Sequence, residues 1–150
     1  MTKPTAANAT MTKFGYPETV VADYERWVVL LRGRQVTLGA LVLVCKTPAR
    51  AFHEIGREAF AELERVTTDI EAALGRLVAY EKINYLMLMM VDPDVHFHVI
   101  PRHSGTRRLG GLELPDSGWP GPPDLKGGVE IDAATRTGLL GELKRSWPSA

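Results

Sequence analysis

The chain of 150 residues is short of several things, and each shortage excludes a class of function. It has a single cysteine, Cys45, so no internal disulfide can form, which fits a reducing cytoplasm. It has no excess of either charge: eighteen Lys and Arg balance eighteen Asp and Glu, leaving no electrostatic footprint for nucleic acid or an anionic membrane. No apolar run is long enough to span a bilayer. The longest, Tyr85 to Val91, suits a buried strand. The first thirteen residues lack the apolar segment of a secretory signal and read as a polar, disordered tail (1–13), leaving 14–150 as one domain. Internal repeats are absent too.

What is present begins with two strand signals. Tyr24 to Leu31 is aromatic and β-branched, and Ala40 to Cys45 is an unbroken apolar run, with Arg32-Gly-Arg-Gln35 as a turn between them. Cys45 closes the second run and reads as a buried thiol. From Arg57 to Ala79, apolar residues recur at steps of three and four (Phe60, Leu63, Val66, Ile70, Ala73, Leu74, Leu77), which marks an amphipathic helix. Its acidic residues, Asp69 among them, read as the solvated side. Ile83 to Val91 reads as a central strand covered on both faces, its methionines filling core. A Gly/Pro-rich loop (103–130) follows the next strand. A last helix (132–147) is capped by Asp132 and carries Leu139, Leu140, Leu143 and Trp147 on its apolar side. This order predicts an α+β fold on an antiparallel sheet. The apolar strands exceed what one helix can cover, so a homodimer is expected.

The chemistry concentrates in Asp94-Val-His-Phe-His-Val-Ile-Pro-Arg102. Strand alternation puts Asp94, His96, His98 and Ile100 on one face and Val95, Phe97 and Val99 on the other. Residues two apart on a strand lie about 6.5–7 Å apart, close enough for two imidazoles to address one phosphate or metal ion. Three uses are open on the residues alone. His96 could attack phosphorus as a nucleophile, with His98 and Asp94 fixing its tautomer and Arg102 donating to the transferring oxygens. Asp94, His96 and His98 could instead hold a metal for a hydrolase, with His53 as a further donor. The face could also line a pocket that binds without chemistry. His53 and Asn84 are further candidate substrate contacts, each against a plainer reading as a capping or surface histidine and a buried amide. Arg107 and Arg108 could meet phosphates from the loop, and Trp119 reads as a packing anchor.

His96-Phe-His98-Val-Ile-Pro-Arg102, placed after a long helix and a Met-rich strand, resembles the signature of the histidine triad (HIT) superfamily, His-φ-His-φ-His-φ-φ with φ apolar. Thr37-Leu-Gly39 and the strand after it, and Ala51-Phe-His53-Glu-Ile55 before the helix, are similar to the family's corresponding segments. The resemblance runs from about Trp27 to Arg102. It implies a HIT-like fold with a five-stranded antiparallel sheet, one long helix and a C-terminal helix, assembled as a homodimer. It further implies His96 as nucleophile, His98 as the phosphate-contacting third histidine, and a nucleotide or nucleotide conjugate as partner (phosphoramidates, phosphoanhydrides, dinucleoside polyphosphates). No cofactor and no metal are implied. The sequence departs from the family pattern at Asp94, which stands where the first histidine belongs, at Ala40, and in lacking the Gly/Gln-rich phosphate loop. A catalytically degenerate HIT domain that binds a nucleotide or a protein partner is the alternative these departures raise.

Overall fold

A computed structural model describes residues 6–148. Its centre is a five-stranded antiparallel sheet in the order β1 (Val20–Asp23), β2 (Trp27–Leu31), β4 (Leu41–Cys45), β6 (His96–Arg102), β5 (Lys82–Leu86). Two short pairs flank it: β3 (Arg34–Gln35) with β9 (Val129–Glu130), and the hairpin of β7 (Thr106–Leu109) with β8 (Leu112–Pro115). The helices are α1 (Ala9–Lys13), α2 (Arg57–Val78) and α3 (Ala133–Ser146). No helix among the described residues is long and apolar enough to cross a membrane.

Both faces of the sheet are covered, which is why β2 and β4 read as unbroken apolar runs. On one face Trp27, Val29, Leu31, Leu41, Leu43, Cys45 and Val99 pack with Val66, Ile70 and Leu74 of α2 and Leu139 and Leu143 of α3. The Trp27 indole N–H donates to the Ala59 carbonyl at 2.8 Å and pins α2 to β2. Each fully buried leucine or isoleucine here contributes about 1.5–3 kcal/mol relative to exposure. On the other face Val28, Leu30, Val42 and Val44 meet Met11 of α1, with Phe14 and Tyr16 against them.

The structure revises several sequence expectations. The segment expected to be a disordered tail contains α1, capped by Asn8 and packed through Met11 and Thr10, both fully buried; residues 1–5 lie outside the described residues. The strand expected over Ile83 to Val91 stops at Leu86 and is an edge strand. Met89 takes a left-handed conformation (φ 52°), and Met90 and Val91 are 84 % and 81 % exposed. The Gly/Pro-rich stretch holds the β7–β8 hairpin, turned by Gly110 and Gly111, both with positive φ. On α2 the buried stripe is Ala59, Val66, Ile70, Ala73, Leu74 and Val78, while Phe60 is exposed. Asp69 is buried and accepts a 2.7 Å hydrogen bond from the Tyr24 hydroxyl. The last helix begins where the sequence places it, with the Asp132 carboxylate accepting from the Thr135 N–H.

Candidate active site

Strand register decides what the histidines face. His98 lies opposite Val42 and His96 opposite Val44 on β4, whereas Phe97 and Val99 lie opposite Leu43 and Leu41. Cross-strand partners share a face, so the imidazoles project to the α1 side and Phe97 to the α2 side. The two rings stand edge to face with centroids 5.3 Å apart.

Their hydrogen bonds fix opposite tautomers. His96 Nδ1 is 2.7 Å from the Asp94 backbone carbonyl, which can only accept, so Nδ1 carries the proton and Nε2 keeps its lone pair. His98 Nδ1 accepts from Arg32 Nε at 3.3 Å, so its proton sits on Nε2. Burial first, then the neighbouring Arg32 and His96, push the His98 pKa down to about 4. His98 is therefore a neutral N–H donor at physiological pH. Unfolding returns it to its ordinary value near 6.5, so below that pH the unfolded chain binds a proton the folded one refuses. Stability is then lost progressively from about pH 6.5 to about pH 4. Urea unfolding at stepped pH is expected to show this decline, and His98→Asn to flatten it.

Asp94 does not join the pair as a third imidazole neighbour. It precedes β6, is buried, and its carboxylate accepts from both the Thr10 backbone N–H (3.1 Å) and the Thr10 hydroxyl (2.9 Å). Asp94 thereby fastens the N-terminal turn of α1 onto the sheet. Asn8 donates to the Cys45 carbonyl and Lys13 pairs with Asp92 at 2.9 Å, completing the attachment. Phe14, just past α1, sits over both rings, with centroids 6.0 Å from His96 and 5.7 Å from His98. His96 and His98 are consequently only 2 % and 8 % exposed. Asp94→Ala leaves two buried donors unpartnered, and a loss of about 2–3 kcal/mol is expected in urea unfolding. Asp94→His should lose a similar amount, because imidazole cannot reproduce two bonds to one oxygen.

The other candidates separate from the histidines. Arg102 is buried, with Nε and Nη2 on Asp116 (2.7 and 3.2 Å), Nη1 on Asn84 Oδ1 (2.8 Å) and Nη2 also on the Gly121 carbonyl (2.8 Å). Its donors, and the Asn84 oxygen, are engaged in tying the 116–121 segment to the sheet. His53 is exposed in a short 3-10 turn, Phe52–Glu54, whose Phe52 packs on Phe97 and Phe60 at the α2 side of the sheet, away from the histidine face. Arg107 closes the C-terminus of α2 by donating to the Val78 and Ala79 carbonyls, and Arg108 pairs with Glu113 in the hairpin. Trp119 is half-buried. His103, expected on the loop, is wholly buried, with Nδ1 on the Ser104 and Gly105 carbonyls. Among the described residues no three His, Cys, Asp or Glu side chains are arranged to hold a metal ion. The Asp94–His96–His98 metal set is not assembled, since Asp94 is turned onto Thr10.

Sequence reasoning passed over Arg32, Phe14 and Thr10. Arg32 had a visible signal, a cation at the end of an apolar strand. Arg32, Lys13 and Phe14 also line a cavity of about 600 Å³ together with Arg34, Lys126, Glu130 and Arg136.

With this geometry in view, comparison with solved structures is decisive for the architecture. A histidine triad protein from Bradyrhizobium japonicum superposes with a TM-score of 0.73 at 19 % identity, over 97 % of this chain and 99 % of the other. The fold is that of the histidine triad proteins. One from Sinorhizobium meliloti matches with a TM-score of 0.73 at 20 % identity (94 % and 96 % covered). A hypothetical histidine triad nucleotide-binding protein from Sulfolobus tokodaii matches at 0.63 and 20 % (85 % and 82 %). No protein-family model and no curated protein matches the sequence. The five-stranded sheet and helices expected from the HIT resemblance are thus present, and β6 of this HIT fold carries His96 and His98.

Proposed function

We propose that this HIT-fold protein is a nucleotide-conjugate hydrolase or nucleotidyltransferase that works through a nucleotidyl-His96 intermediate. The observation that carries the reading is the His96 tautomer: a backbone carbonyl holds the Nδ1 proton and leaves the Nε2 lone pair free. Nε2 attacks the α-phosphorus, a P–N bond forms, and the bond to the leaving group breaks as that group takes up a proton. Water, or another acceptor, then attacks the same phosphorus, releases the nucleotide and returns His96. His98, neutral and protonated on Nε2, supplies a hydrogen bond to the phosphoryl oxygens. Arg32, on His98 Nδ1, sets that tautomer. Phe14 covers both rings, so turnover requires it to leave its seat.

The S. tokodaii protein's description as nucleotide-binding supports a nucleotide partner. The test is to mix the protein with an adenosine 5′-phosphoramidate or phosphosulfate, quench, and measure intact mass. An adenylyl adduct that maps to His96 is expected. No adduct together with no turnover would overturn the reading. A second reading, nucleotide binding without chemistry, is favoured by the Phe14 cover and by the engagement of Asp94 with α1. Calorimetric binding without turnover would select it.

We further propose a cytoplasmic homodimer. Leu88, Met90 and Val91 are exposed beside the edge strand β5, an apolar patch that a second copy would cover. Light scattering is expected to give twice the 16.5 kDa of the chain. A monomer at micromolar concentration would contradict this.

A further inference from the structure

Five of the twelve residues that line the cavity of about 600 Å³ beside the histidines are cations. Lys13, Arg32, Arg34, Lys126 and Arg136 line it against one carboxylate, Glu130. That carboxylate is held by Arg34 at 3.2 Å, and Lys13 is paired with Asp92 outside the lining. Arg32, Lys126 and Arg136 have no acidic partner among the described residues. Arg32 is the sharpest case. It is half-buried, gives Nε to His98 and Nη1 to the Arg34 carbonyl, and leaves Nη2 without a partner among the described residues. Burial and the neighbouring Arg34 push its pKa down, and Glu130 opposes this without cancelling it. A close backbone approach shapes one side of the cavity wall. Gly128 (φ +74°) brings the 125–128 segment so close to β3 that a Cβ there would lie 1.9 Å from the Gln35 carbonyl oxygen. Lys126, in that segment, lines the cavity together with Arg32.

A cavity of this size suits a small-molecule ligand, and guanidinium groups favour phosphate by bidentate, charge-assisted bonding. We propose that this cavity binds a second phosphoryl group of the substrate, distinct from the one presented to His96, so that the protein prefers nucleotides carrying more than one phosphate. Arg32 joins the two places, since it donates Nε to His98 and is itself part of the cavity lining. The inference rests on the reading of the histidine face as a nucleotide site. The second phosphate could belong to a 5′ polyphosphate chain or to the sugar, and the two sources differ in reach.

Calorimetric dissociation constants for AMP, ATP and adenosine 3′,5′-bisphosphate test it, using the full-length protein. ATP or the bisphosphate is expected to bind about ten-fold or more tightly than AMP, and whichever does so identifies the source. The gain should vanish in the Lys126→Gln/Arg136→Gln double variant. It should survive in Arg57→Gln/Lys144→Gln, which removes two exposed cations that do not line the cavity. Equal binding of all three nucleotides, or a gain that persists without Lys126 and Arg136, overturns the proposal. The readout needs no turnover. An adduct on His96 with no second-phosphate gain would sink this inference alone, and a gain without any adduct would sink only the covalent mechanism.

Discussion

His96→Ala is expected to lower turnover of any nucleotide conjugate the protein accepts by about a thousand-fold or more, since loss of a covalent nucleophile ordinarily costs at least that. Nucleotide affinity should change little by comparison, because the variant keeps His98, Arg32 and the cavity. The contrast between kcat and binding is the informative quantity. A variant with wild-type turnover would remove His96 from the mechanism, and a parallel fall in affinity would point to unfolding or to a binding role. Circular dichroism on the same preparation separates those two. His98→Asn should reduce turnover less, because it loses one neutral donor and leaves the Nε2 attack intact.

The largest stability effect is expected at the Arg102–Asp116 pair. Asp116→Ala leaves a buried guanidinium facing Asn84 and the Gly121 carbonyl with no counter-charge, and breaking a buried pair in this way costs about 3–5 kcal/mol. For a chain of this length that corresponds to a fall in Tm of roughly 10 °C. Burial pushes the Asp116 carboxyl up, but hydrogen bonds from Arg102, the His103 N–H and the Gly118 N–H outweigh it and hold the pKa below the usual range. The ionised form is therefore favoured by folding. Its contribution is present above the unfolded carboxyl pKa and is lost as pH falls through the lower folded value. Replacing both partners, Arg102→Met with Asp116→Leu, should recover part of the loss. If Asp116→Ala melts within a degree or two of the wild type, the pair is not the anchor of the 116–121 segment.

How much of this was readable without coordinates depended on whether the signal was local. The Arg57–Val78 helix, the Leu41–Cys45 strand and the Asp132 cap each rest on their own residues, and all three are where the pattern puts them. The alternation around His96 and His98 is equally local, and their common face follows from it. The failures are non-local. A five-residue helix cannot nucleate by itself, and α1 forms only because Asp94 and the sheet receive it. Arg102 read as a donor to the transferring oxygens, and its partner Asp116 arrives only after a hairpin. That hairpin did have a signal, Gly110-Gly111 between apolar residues, which outweighs the loop-like composition around it. Apolar content alone could not distinguish a central strand from an edge, so Met87 to Val91 were placed in the sheet that they leave.

The fastening of α1 has a consequence for the order of assembly. Thr10 and Asp94 are 84 positions apart, so the contact closes just over half of the chain and contributes nothing until β4 and β6 have paired. During synthesis α1 emerges before β6, yet its docking surface is not complete until the histidine strand has followed. The segment that covers the histidines is thus made before the strand that carries them and seated after it. The sheet beneath it must be formed before the cover can close.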